Sequence, residues 1–120
     1  SPQDAASLLI PMLRHLKQEH LYALLMDVKN KIIAKTLVSK GGLSSSTVHP
    51  REVFKKAIKE SCAAIIIAHN HPSGDPTPSD NDIEVTKRLY EAGEILGIEL
   101  LDHLIIGDGK YFSMKAKNLF

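Results

Sequence analysis

The chain has 120 residues, 43% of them apolar, which suffices to close one hydrophobic core and points to a single globular unit. With 15 lysines and arginines against 14 acidic residues, the net charge of +1 announces neither a nucleic-acid surface nor a membrane surface. The one cysteine, Cys62, excludes an internal disulfide framework, fits a reducing compartment and is expected in core packing. No run approaches the ~18 apolar residues of a membrane span. The opening SPQDAASLLI lacks the basic flank and small-residue cleavage site of a secretory signal. A cytoplasmic location with no membrane partner is the expectation. The absence of an initial methionine suggests the C-terminal part of a longer chain.

In chain order, Ser1-Pro2-Gln3-Asp4 reads as a helix start, with a serine cap, a proline whose missing N–H costs nothing and a carboxylate in the first turn. Ala5, Leu9, Met12 and Leu16 follow at helical offsets, and Pro11 should kink or divide that helix. Leu21 to Val28 is short and nearly all apolar, which predicts a strand buried on both faces. Lys29-Asn30-Lys31 turns the chain into a second strand, Ile32 to Ser39. Gly41-Gly42 and Ser44-Ser45-Ser46 mark a loop. Pro50 suits the first position of a helix to about Glu60, with Val53, Phe54, Ala57 and Ile58 as its apolar face and His49 as its cap.

Ala63 to Ala68 predicts a central strand ending at His69. The stretch 72–78, with prolines at three of its seven positions, can only be a stiff loop. Ser79 and Asp82 then stand at the cap and third position of a helix carrying Val85, Leu89, Ala92 and Leu96, ended by Gly97. Ile98 to Ile106 predicts a strand, Gly107-Asp108-Gly109 a turn, and Lys110 to Ser113 a short return strand. The sum is an α/β molecule of α+β type, a mostly β layer flanked by about three helices.

Residues two apart in a strand point to one side, so His69 and His71 present both imidazoles to one point where the sheet ends. The Pro-rich loop can fold back to bring Asp82 over them. Two nitrogens and a carboxylate leave a fourth tetrahedral position open, which is what separates a catalytic zinc site from a structural one. Taken singly, each feature has a plain reading. A lone His-x-His is an ordinary loop feature, Ser79 with Asp82 an ordinary capping box, and Glu19 a solvated residue at a helix end.

Their conjunction is more specific. His69-x-His71, seven residues, Ser79, two residues and Asp82 resembles the JAMM motif of JAB/MPN metalloproteases, which a glutamate at the opening of an early strand completes; Glu19 has that place. The strings Glu19-His20, His49-Pro50-Arg51-Glu52, His69-Asn70-His71-Pro72-Ser73-Gly74-Asp75-Pro76 and Asp102-His103 resemble the RadC group of that superfamily, over essentially the whole chain. The resemblance implies an MPN fold with a curved, mostly antiparallel sheet. It also implies one zinc ion on His69, His71 and Asp82, Glu19 as general base and Ser79 as the residue steadying the tetrahedral intermediate. Glu52 and Glu60 are the alternatives to Glu19, because the family anchors its base by position.

Asp102 and His103 project to opposite faces of one strand, so without a bulge only one can look toward the metal, where it could orient a ligand histidine. His15 and His20 read as surface or packing residues. The activity implied is a metallopeptidase or isopeptidase whose peptide or protein substrate the sequence does not name, nor does it give the oligomeric state. The second reading is a binding or scaffolding module in DNA repair, suggested by the family's name. DNA contact would then fall to the helix-hairpin-helix-like region that commonly precedes this domain in the family. A non-haem iron or cupin site with Asp75 as third ligand conflicts with Pro72, Gly74 and Pro76. An HNH nuclease spreads its residues over a ββα unit, and a zinc deaminase needs cysteines this chain lacks.

Overall fold

The computed structural model describes residues 2–44 and 46–120. The Ser1 cap and Ser45 of the serine loop lie outside the described residues. Eight elements follow one another: α1 (Pro2–Leu13), β1 (His20–Met26), β2 (Ile32–Lys40), α2 (Pro50–Lys59), β3 (Ala64–Asn70), α3 (Asp80–Leu96), β4 (Glu99–Ile106) and β5 (Tyr111–Ser113). The five strands form one sheet in the order β2-β1-β3-β4-β5. Every neighbouring pair is antiparallel except β3 and β4, which run parallel with α3 as their crossover. A mixed α/β fold with a mostly antiparallel sheet and three helices is what the sequence led one to expect.

Strand alternation sends side chains to two separate cores. Leu21, Ala23 and Leu25 of β1 join Ile65 and Ile67 of β3 under α2 and α3, where Val53, Phe54, Ala57, Val85 and Leu89 close the layer. Leu24, Met26, Ala64, Ile66 and Ala68 face the opposite way and meet Ala5, Ala6, Leu9 and Leu13 of α1. The central strand β3 is buried along its whole length, so its isoleucines leave water on both faces. Burial of one such side chain contributes about 1.5–3 kcal/mol.

One irregularity in β4 decides what reaches the functional end of the sheet. Ile65 pairs with Leu100 but Ile66 pairs with Asp102, so Leu101 is an extra, bulged residue. Leu100 and His103, three apart, consequently face the same side as Ile65 and Ile67, while Asp102 turns toward the α1 side with Ile66.

Several expectations are corrected. Pro11 does not divide the helix: it is exposed and stands close to the end of α1, where only a late donor is lost. Leu16 lies beyond that helix yet still packs on its core. Val28 is outside β1, 84% exposed in a turn that Asp27 holds by accepting from the main-chain N–H groups of Lys29 and Lys31. Ile58 and Leu96 continue the helical periodicity past the point where the sheet can cover them, and both are exposed. His49 stands at the N-cap of α2 but its side chain makes no capping bond. No helix among the described residues is long and apolar enough to cross a membrane.

Candidate metal centre

The carboxyl end of β3, the N-terminus of α3 and the entry to β1 meet at one place. His69 is the penultimate residue of β3 and His71 follows just past its end, with ring centroids 4.8 Å apart. The loop after His71 turns at Gly74, in the left-handed region at φ 91°, and docks on the β4–β5 turn. There Asp108 N–H donates to Gly74 O at 3.0 Å and His71 N–H to Ile106 O at 2.9 Å. Gly107 lies beneath this crossing, and a Cβ on it would collide with the Gly74 carbonyl oxygen. The loop therefore delivers α3 with its first turn over the histidines.

Ser79 caps α3 by accepting from Asp82 N–H at 3.1 Å, and Asp82 Oδ2 accepts from Ser79 N–H at 2.8 Å. This capping box fixes the Asp82 rotamer. Its carboxylate is buried, with Oδ1 3.3 Å from His69 Nε2 and Oδ2 3.0 Å from His71 Nε2. Burial alone would raise the Asp82 carboxyl, but the two imidazoles and the Ser79 main chain outweigh it and hold the group well below the usual carboxylate range. His71 is shifted upward by its bond to Asp82; burial opposes this, and the Asp75 carbonyl at 2.9 Å from Nδ1 adds to it.

Glu19 sits immediately before β1, half-buried. Its Oε2 accepts from Leu43 N–H at 3.3 Å, and its Oε1 stands 4.0 Å from His71 Nε2. Donor atoms of Glu19, His69 and His71 all lie within 4.8 Å of one another. Buried Asn70 holds this entry in place: its Oδ1 accepts from His20 N–H at 2.7 Å and its Nδ2 donates to Gln18 O at 3.0 Å. Because a main-chain N–H can only donate and a carbonyl only accept, this pair of contacts fixes the orientation of the Asn70 amide.

His69 Nε2 is the one buried side-chain nitrogen or oxygen among the described residues with no hydrogen bond. An orphaned imidazole nitrogen set against a carboxylate oxygen, with a second imidazole and a glutamate close by, is a donor set that could hold a metal ion. On its other side, His69 Nδ1 is 2.7 Å from His103 Nε2, and His103 Nδ1 is 2.6 Å from Thr86 Oγ1. Burial, reinforced by His69, pushes the His103 pKa well down.

Of the two residues weighed on β4, the bulge thus brings His103 to the site and not Asp102. Asp102 accepts instead from the Ser113 hydroxyl and from the main-chain N–H groups of His103 and Lys115, beside a cavity of about 300 Å³ lined also by Met26, Ile66 and Leu101. Glu52 and Glu60 are not at the site: Glu52 lines a groove with Lys55, Lys56 and Lys59, and Glu60 ends α2. The Asp75 carboxylate bonds Thr77. His15 is exposed and His20 bonds Gln18 O. Sequence reasoning passed over Thr86 and Asn70. A hydroxyl on the apolar face of α3, beside Val85 and one turn after Asp82, was the available signal for Thr86.

Residues 1–119 match the RadC-like JAB domain. The chain is 58% identical over 118 residues to a UPF0758 protein of Clostridium perfringens, an overlap of 98% of this chain and 52% of that one. It is 58% identical over 117 residues to UPF0758 protein YsxA of Bacillus subtilis, covering 98% and 51%, and 55% identical over 120 residues to a UPF0758 protein of Desulforudis audaxviator, covering 100% and 52%. It spans about half the length of these curated relatives, whose names carry no activity. With a match across nearly every residue, and the two histidines, the helix-start aspartate and the strand-entry glutamate gathered at one end of the sheet, the chain belongs to the RadC-like JAB domain family.

Proposed function

We propose that the domain is a zinc-dependent hydrolase of peptide or isopeptide bonds, with His69, His71 and Asp82 holding the ion, Glu19 as general base and Ser79 as oxyanion donor. The observation that carries this reading is the buried, unpartnered His69 Nε2 facing Asp82 Oδ1, with His71 Nε2 on the second oxygen of the same carboxylate. Bound by these residues, a divalent ion would supply water activation and carbonyl polarisation. Glu19 takes the proton. Its Oε2 accepts from Leu43 N–H while Oε1 stands 4.0 Å from His71 Nε2, which supports the base role. The Ser79 oxygen already accepts from Asp82 N–H, which leaves its own O–H free to donate to the carbonyl oxygen of the scissile bond. One such donor is worth about 3 kcal/mol in the transition state.

The test is zinc content and hydrolysis of a peptide library, with and without chelator. Stoichiometric zinc and chelator-sensitive cleavage are expected. Glu19→Gln should keep the ion while cleavage falls ~100- to 10,000-fold. Zinc retained by the double variant His69→Ala/His71→Ala, or unchanged cleavage by Glu19→Gln, would remove the assignment. Zinc bound without cleavage of any peptide favours the binding-module reading.

A further inference from the structure

We infer that Thr86 and His103 are positioning residues that lock the proton of His69 on Nδ1 and so keep its Nε2 lone pair aimed at the ion; this rests on the metal-site reading above. The argument is one of counting protons along three short contacts. Thr86 Oγ1 lies 2.6 Å from the Asp82 carbonyl oxygen, 2.6 Å from His103 Nδ1 and 3.5 Å from Met114 Sδ. A carbonyl can only accept, so the single hydroxyl proton of Thr86 is spent on Asp82 O. The Thr86 oxygen must then accept from His103, which places a proton on His103 Nδ1.

The His103 ring is fully buried and, among the described residues, has no carboxylate in hydrogen-bond contact, an environment that favours the neutral ring carrying that one proton alone. Its Nε2 is therefore an acceptor. The atom 2.7 Å away, His69 Nδ1, has to be the donor. With its Nδ1 donating to His103, Nε2 is the His69 nitrogen left for an ion, buried without a hydrogen bond 3.3 Å from Asp82 Oδ1.

The opposite tautomer would let His69 Nε2–H bond Asp82 and close the site on itself. An ion would then have to displace that proton before it could bind. The chain of contacts forbids this, and it does so from the ligand aspartate's own main chain: Asp82 O, Thr86, His103 and His69 form a path that returns to the Asp82 carboxylate. His71 is held by a simpler version of the same device, its Nδ1 on the Asp75 carbonyl, which can only accept. The fully buried histidine uses two side chains where the partly buried one uses a loop carbonyl.

The test reads ring nitrogens directly. Long-range proton–nitrogen NMR of the metal-free protein should find His69 and His103 both protonated on Nδ1 and bare on Nε2. Thr86→Val keeps the shape and removes the hydroxyl; the amide spectrum should stay folded, the His103 and His69 tautomers should mix, and zinc affinity measured against a competing chelator should fall ~10- to 100-fold. Thr86→Ser, which restores the hydroxyl, should recover both readouts. A space-filling role for Thr86 predicts the reverse order, with valine close to wild type and serine the worse variant. A proton on His69 Nε2 in the wild type, or wild-type tautomers and affinity in Thr86→Val, would overturn the inference even if zinc binds and peptides are cleaved. Tautomers as assigned in a protein that takes no zinc would support the proton assignment and refute the metal reading alone.

Discussion

At the scale of single residues, the site divides into groups with a local signature and groups without one. His69, His71, Ser79 and Asp82 fall within one stretch joined by a loop of prolines, and strand and helix rules alone bring them near each other. Asn70 has no such signature, because its partners Gln18 and His20 are about 50 positions away and an amide between two histidines looks like a spacer. Its importance is in what it carries. The amide ties the entry of β1 to β3 and so sets the position of Glu19. Asn70→Leu would keep the volume on the α1 side of the sheet and leave His20 N–H and Gln18 O without their partner, a loss of about 1–3 kcal/mol for each group that water cannot reach. The expected outcome is zinc content near wild type, since no ligand is touched, with turnover reduced by up to ~100-fold through a displaced base. Stability by urea titration and turnover on any cleavable peptide check this, and unchanged turnover would show that Glu19 is placed by Leu43 N–H and β1 pairing alone.

At the scale of elements, periodicity and punctuation located all eight segments, and three of the misplacements share one physical cause. Val28, Ile58 and Leu96 are apolar residues at regular offsets that run past the area the opposite layer can cover, and a pattern records offsets but not the size of the partner surface. The bulge at Leu101 was equally hidden. It is a pairing property of β4 against β3, and it decides that His103 and not Asp102 reaches the site. The loop 72–78 shows the opposite case, since its prolines made it legible as stiff while its docking point at Gly107 was not. Gly107→Ala drives a methyl group into the Gly74 carbonyl and the Pro76 ring. Overpacking of this kind costs about 1–3 kcal/mol. Because the same loop delivers Asp82, zinc affinity should fall along with the melting temperature. A variant that melts early yet binds zinc as wild type would mean that α3 is positioned by its own packing on Phe54 and β4 rather than by the loop.

At the scale of the whole molecule, the two cores close without any contribution from the proposed ion. The proposed ligands are held by the end of a buried strand and the capped start of a helix, so the metal-free chain should stay folded and melt cooperatively. Zinc at about 100-fold above its dissociation constant should add ~2.7 kcal/mol by mass action, and a chelator should return the melt to its metal-free midpoint. Collapse of cooperativity on chelation would identify a structural ion instead. The parallel pair β3 and β4, with α3 between them, has a consequence for how such a protein changes over time. The proposed ligands, Thr86 and His103 all belong to this one βαβ segment, whereas the proposed proton acceptor, Glu19, stands at the entry to β1, tied in by Asn70. On the proposed reading, ion capture and bond cleavage would thus be inherited on separate parts of the chain. Drift in the β1 entry would silence cleavage while every ligand remained intact, so descendants of one ancestor can keep the ion as a scaffold after the hydrolase is lost, and the presence of the motif alone does not distinguish the two.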